Sequence, residues 1–429
     1  MERWLWAHPQ TGYREWKAHE HAAEAFRQLG YTITTAGNIP GFFADIGPED
    51  GPKILVMGEL DSLMCADHPD ADPETGYVHA CGHHAQVAAL YGLAAALKEP
   101  GVMDGWAGGV RLCAVPAEEL IEPAFRDSLR EQGIIEYASG KVEFLHRGYF
   151  EGCHIAILCH TCGGDSIGSS AGGNGCLLKR VSYQGKAVHA SVPEGGLNAL
   201  HMASLGISAT NAVRDTFADH DHIRYHPIIT QGGEVINAIP SHVVTESYIR
   251  GASLTAMSRA NRQVNRAIAA SAAALGGNVH LTDSLGMAPL HNDKNLLRLL
   301  EDVRKMVLPD SAPVVFDHWD MGCTDMGDLS CVMPTLQLTC GGAEGVGHGN
   351  NYRIADPVMA CAGAATAQLY LLDKLLSNSA AEAQRVIAEA TPEFDSPQGY
   401  FDMARTFRFD QDAVTENPDG TLTLSFGNA

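Results

Sequence analysis

The chain has 429 residues, 45% of them apolar and 19% charged, and its 51 Asp and Glu outnumber 29 Lys and Arg for a net charge of −22. That length exceeds one ordinary core, so two or more domains are expected. So acidic a surface repels phosphate backbones and anionic headgroups, which argues against nucleic-acid and membrane partners. The first residues, MERWLWAHPQTGYREW, lack an apolar targeting core, and no apolar run approaches the roughly 18 residues of a spanning helix. Eleven cysteines are an odd number for a disulfide framework, so a cytoplasmic location is expected.

In chain order, EWKAHEHAAEAFRQLG reads as an amphipathic helix ending at Gly30. ILVMGEL (54–60) is a short apolar run of the kind buried parallel strands show. AQVAALYGLAAALKE (85–99) is apolar nearly all round and predicts a buried helix. VRLCAVPAEE (110–119) and HIAILCH (154–160) are two further buried-strand candidates that end in polar residues. This alternation is the α/β pattern, in which ligands sit beyond the carboxyl ends of strands.

After AGGNG (171–175) the pattern changes. A strand at LLKRVSYQG, a helix at 197–217, two strands within 223–252, a helix at 258–277 and a strand at 278–283 follow. That order, β-α-β-β-α-β, is ferredoxin-like. From about Leu290 the α/β style resumes with PTLQLTCGG and a helix at 359–376. The expected division is therefore 1–174 and 288–391 for a larger domain, 175–287 for an insert, and 392–429 for a mobile or surface-packed extension.

Four segments carry the chemistry. HACGHHAQ presents Cys81 and His83 from a turn before a helix, and these are donors for zinc and its neighbours. His79 and His84 read as supporting or solvent-facing groups. In AVPAEE, Glu118 and Glu119 are neighbours at a strand end and point to opposite sides. One carboxylate can then ligate a metal while the other takes a proton from water. His160 in ILCHTCGG is a further ligand candidate, whereas the Cys159/Cys162 pair opens no helix and reads as packing. His348 lies in a Gly-rich loop; His189, Asn237 and Arg250 fall in the insert, where Arg250 could grip a carboxylate.

Taken together, HPQTGYREWKAHEHAAEAFRQLGY, GELDSL, HACGHH, VPAEE, GKAVHASVPEGGLNAL, GGEVINAIP, GCTDMGDLSCVMP and GHGNNYRIADP resemble the M20 metallopeptidase and amidohydrolase family, near its aminoacylase and aminobenzoyl-glutamate hydrolase branches. The resemblance spans about Trp6 to Leu376 and implies a mixed-sheet α/β catalytic domain carrying a ferredoxin-like lid that mediates dimerisation. It implies Cys81, His83, Glu119, His160 and His348 as ligands of one or two divalent ions, manganese or zinc foremost. Glu118 becomes the general base, and Asp61 the carboxylate that orients a ligating His. His189 corresponds to the lid histidine that reaches a partner subunit's site, and Asn237 and Arg250 to substrate-binding positions. Relatives carry Asp or Asn where this chain has His84.

The resulting expectation is a metal-dependent hydrolase of an amide bond in a small carboxylate-bearing substrate, working as a homodimer or larger homo-oligomer. Hydrolytic deamination of an aromatic amino acid such as a nitroanthranilate needs the same groups. A non-catalytic metal- or ligand-binding protein on this fold, and a structural zinc module with a redox CHTC, are readings of other classes.

Overall fold

A computed structural model describes residues 1–308 and 318–427. The chain forms two compact units. The first comprises Met1–Gly172, Leu290–Trp319 and Asp325–Pro397, and the second Gly173–Pro289, Asp320–Thr324 and Gln398–Ala429.

The first unit is built on a mixed sheet. Its main strands are β1 (Phe42–Ile46), β2 (Lys53–Glu59), β3 (Gly109–Val115), β4 (Ile155–Gly163) and β5 (Thr335–Glu344), lying side by side in the order β1-β3-β2-β4-β5. β3, β2, β4 and β5 are mutually parallel, and β1 runs antiparallel to β3. Every residue of β3 is buried, as is all of β2 after Lys53. Parallel strands covered on both faces require such unbroken apolar runs, which is why they stand out in the sequence. The helices Trp16–Gln28, His83–Ala96, Lys294–Val307 and Ala364–Glu389 contribute to the same core, the last with a kink at 377–380.

This topology positions the chemistry. Parallel strands bring their carboxyl ends to one edge, so Asp61 follows β2, Glu118 and Glu119 follow β3, His160 lies near the end of β4, and His348 follows β5.

The second unit is an antiparallel sheet with Gly175–Gln184 between His242–Gly251 and Asn278–Met287. Ile228–Gln231 pairs with the outer side of His242–Gly251. The helices Ala199–Arg214 and Leu254–Ala274 complete a β-α-β-β-α-β order. Asn198 caps the first helix by accepting from the amides of Leu200 and His201, and Ser253 caps the second through Ala256. The sequence sets 392–429 apart as an extension. In the structure that segment forms the helix Pro397–Thr406 and a strand, Phe409–Asp412, that adds to the sheet alongside Asn278–Met287. No helix among the described residues is long and apolar enough to cross a membrane.

Candidate metal centre

The turn before the helix His83–Ala96 sets the geometry. Gly82 has φ +94°, and a Cβ there would lie 2.1 Å from Thr161 Oγ1 and 2.3 Å from Tyr352 Oη. Only glycine meets both conditions, so Cys81 and His83 can flank a backbone pressed against β4. The next loop is held in a similar way. Ala117 adopts φ +58°, and its amide donates to Glu15 Oε1 at 2.7 Å. The Glu119 amide donates to Asp61 Oδ2 at 2.8 Å. His348 also has positive φ, +63°, with its amide on the Ala80 carbonyl at 2.8 Å. Such conformations cost on the order of 1–3 kcal/mol each and persist where surrounding structure over-determines them.

Five donors from four segments meet here. Cys81 Sγ lies 3.4 Å from His160 Nε2, and His348 Nε2 lies 3.1 Å from Glu119 Oε1. Potential ligand atoms of Cys81, His83 and His160 fall within 4.8 Å of one another, as do those of Cys81, Glu119 and His348, and those of His83, Glu118 and Glu119. The three groups share members and so form one continuous cluster.

The imidazoles are oriented for ligation. His83 Nδ1 faces the Asp61 carbonyl at 3.0 Å and Asp61 Oδ1 at 3.1 Å, which in the neutral ring places the proton on Nδ1 and leaves the Nε2 lone pair for a metal. His160 Nδ1 donates to the Thr161 carbonyl at 3.0 Å, with the same result. His83 Nε2 and Glu119 Oε1 are both buried without a hydrogen-bond partner, although an oxygen of Glu59 and a nitrogen of His348 respectively stand 3.1 Å away. Buried polar atoms close together yet misaligned for hydrogen bonding are what lone pairs aimed at a common ion produce. Thiolate, imidazole and carboxylate donors suit zinc, manganese or cobalt. The residues fit a divalent ion.

The electrostatics agree. Burial pushes the Cys81 thiol up, but the imidazoles of His83 and His160 outweigh it and bring its pKa down to about 6, nearer the thiolate a metal takes. Burial likewise opposes ionisation of Glu119, and His348 more than offsets it. Glu118 is driven well above the usual carboxylate range, first by burial and then by the negative charges of Glu59, Glu119 and Asp325. Two adjacent glutamates thus differ sharply in basicity because one faces an imidazole and the other faces carboxylates.

Residues 55–371 match the pattern of peptidase family M20/M25/M40. The chain belongs to that family. As an M20 protein it is a metal-dependent hydrolase of C–N bonds. It is 26% identical to the N-acetyl-L-cysteine deacetylase of Bacillus subtilis over 73% of this chain and 74% of that protein. It is 26% identical to the Xaa-Arg dipeptidase of Mus musculus over 87% and 81%. It is also 27% identical to one of the p-aminobenzoyl-glutamate hydrolase polypeptides of Escherichia coli, over 58% and 50%. Among solved structures, a dinuclear metal-binding M20 peptidase of Bacillus subtilis superposes with a TM-score of 0.66 at 20% identity, covering 88% of this chain and 96% of that one. An aminobenzoyl-glutamate utilization protein of Klebsiella pneumoniae superposes at 0.62 and 18%, covering 86% and 94%. These structural likenesses show the shared fold.

The remaining expected site residues lie in the second unit. His189 is exposed and forms a bridge with Ala238, while the Ala190 amide donates to the Asn237 carbonyl at 2.9 Å, so His189 and Asn237 occupy adjoining segments. The Ser191 amide donates to His189 Nδ1 at 3.1 Å, which puts the neutral ring's proton on Nε2. Arg250 reaches the Met321 carbonyl at 3.5 Å and stacks on Tyr248.

His79 and His84 are not solvent-facing: both are buried, and His84 Nε2 lies 3.3 Å from Glu2. All eleven cysteines are free thiols, and Cys159 and Cys162 lie on β4 rather than at a helix start, so CHTC has no redox-pair setting. Three buried charges escape sequence reasoning. Glu59 ends β2 beside His83, Asp325 precedes the helix Met326–Ser330, and Lys141 pairs with both. A lone charge ending an otherwise apolar strand is the signal that marks Glu59.

Proposed function

We propose that the protein hydrolyses the amide bond of a small carboxylate-bearing compound, such as an N-acyl amino acid, a dipeptide or an aminobenzoyl-glutamate-like conjugate. The observation that supports this reading most is the single cluster formed by Cys81, His83, Glu119, His160 and His348, with a second carboxylate, Glu118, at its edge. Those five side chains would hold one or two divalent ions. When bound, such ions supply Lewis acidity and lower the pKa of water toward neutrality.

The chain's own groups supply the rest. Glu118 takes the proton of the attacking water and returns it to the departing amine nitrogen, the work of a general base with raised basicity. Asp61 fixes the His83 tautomer and ring orientation. His189, with Nε2–H as its free donor, stabilises the developing oxyanion. Asn237 and Arg250 hold the carboxylate of the substrate. In this reading copies pair through the second unit, so that His189 serves a partner's site.

The relatives named above are a deacetylase, a dipeptidase and an aminobenzoyl-glutamate hydrolase, which favours amide cleavage over deamination of an aromatic amine. A substrate panel assayed for both free amino acid and ammonia separates the two. Release of an amino acid from acylated substrates is expected. Ammonia from an aromatic amine, with acylated substrates inert, would replace the amide reading by the deamination one.

A further inference from the structure

Beneath the proposed metal centre lies a second polar group. Oxygens of Glu59, Glu118 and Asp325 fall within 4.8 Å of one another, and all three residues are buried. Carboxylate oxygens at such separations are spaced as they are around a hard divalent cation. The position is taken by a side chain instead. Lys141 is fully buried, and its Nζ pairs with Glu59 Oε1 and Asp325 Oδ1. Its backbone amide donates to Asp325 Oδ2 at 3.0 Å, and Gln86 Nε2 donates to Glu59 Oε2 at 2.8 Å. All four oxygens of Glu59 and Asp325 therefore have donors, three of them from Lys141. Yet Glu59 Oε2 is only 3.1 Å from His83 Nε2, close enough for this carboxylate to join the ligand set were it released.

We propose that Lys141 is a positioning residue whose ammonium fills the cation position between Glu59, Glu118 and Asp325, and so keeps these carboxylates out of metal coordination. The geometry differs from an ordinary buried ion pair because one ammonium pairs with two carboxylates, Glu59 and Asp325, while a third, Glu118, has an oxygen within 4.8 Å of oxygens of both. Without the ammonium, Glu59, Glu118 and Asp325 present an unoccupied oxygen cage. A divalent ion entering it would recruit Glu118 as a ligand and remove its freedom to accept a proton. This builds on the reading of Glu118 as general base, but the deciding measurement is metal stoichiometry rather than turnover.

The test is Mn²⁺ bound per chain, measured by equilibrium dialysis and elemental analysis, for wild type, Lys141→Met, Lys141→Arg and Lys141→Met/Asp325→Asn. Lys141→Met is expected to bind one more Mn²⁺ than wild type and to lose at least tenfold in kcat. Lys141→Arg, which keeps the charge, and the double variant, which removes a cage ligand, are expected to return to the wild-type count. Should Lys141→Met unfold without metal, added Mn²⁺ is expected to restore its fold by replacing the ammonium. An unchanged Mn²⁺ count in Lys141→Met, or a variant that stays unfolded at millimolar Mn²⁺, would overturn the proposal. Wild type that binds no Mn²⁺ would instead count against the neighbouring centre, so the two readings fail separately.

Discussion

Two buried lysines, one in each unit, make an instructive pair. Lys179 sits in the sheet of the second unit against Asp283, with its Nζ also 2.5 Å from Asn265 Oδ1. The other oxygen of Asp283 accepts from Asn261 at 2.8 Å and Asn265 at 2.7 Å. One cation thus meets one anion. Burial depresses the Lys179 pKa, only partly countered by Asp283. Lys141 is as deeply buried, but Asp325, Glu59 and Glu118 together overcome burial and raise its pKa. Breaking a balanced buried pair strands one charge in the interior, whereas several carboxylates crowded around one buried cation single out a candidate site for metal and proton chemistry.

Glu118→Gln tests the unbalanced side most sharply. Glutamine keeps the shape and loses the base, so kcat is expected to fall roughly 10²–10⁴-fold while metal content, measured by elemental analysis, stays at the wild-type value. Near-normal turnover would dissolve the contrast by leaving the crowded carboxylates without a catalytic member.

Lys179→Met probes the balanced side. It leaves Asp283 buried with only amide donors, and a loss of about 3–5 kcal/mol in denaturant unfolding is expected, with kcat of the folded protein unchanged. A drop in kcat without loss of stability would erase the distinction between the two lysines. Asp61→Ala should be milder. His83 keeps the Asp61 carbonyl as a partner but loses the carboxylate that orients it, and metal affinity is expected to weaken about 10–100-fold in a competition titration with a chelator.

How much of this was legible in the sequence follows from the range of each interaction. β2 and β3 announce themselves because strands buried on both faces must be apolar throughout. Cys81, His83, Glu118, Glu119 and His160 stand out because their residue types are unusual at the ends of apolar elements. Lys141 does not, since its partners Glu59 and Asp325 are 82 and 184 residues away and a lysine after glycine reads as surface. His79 and His84 read as supporting or solvent-facing groups in a His-rich turn, and the wholly buried start of the helix, His83 to Val87, excludes the second of these. The strand Phe409–Asp412 is equally hidden. An edge strand with mostly exposed residues needs no apolar alternation, so FDQD carries no periodic signal.

That edge strand gives the smallest expected effect, on neither lysine but on how a surface charge pair differs from both. His280 bridges Asp410 and Asp412, each at 2.8 Å. The hydrogen bond His280 donates to Asp410 is the main cause raising the His280 pKa, and His280 in turn lowers that of Asp410. A raised histidine contributes fully below its unfolded pKa of about 6.5 and loses that contribution as pH climbs through the folded value. A depressed aspartate contributes above about 3.9 and loses it as pH falls. Docking of Phe409–Asp412 should therefore be firmest between those limits and loosen toward alkaline pH. The groups are partly exposed, so the change should stay within about 1 kcal/mol. Thr282 Oγ1 on Asp410 at 3.0 Å and Gln184 Nε2 on Asp412 at 3.1 Å hold the strand whatever the pH. Amide hydrogen exchange of 409–412, corrected for the intrinsic rate, should show this modest alkaline loosening in wild type and none in His280→Ala; equal pH profiles would assign the docking to the backbone ladder alone.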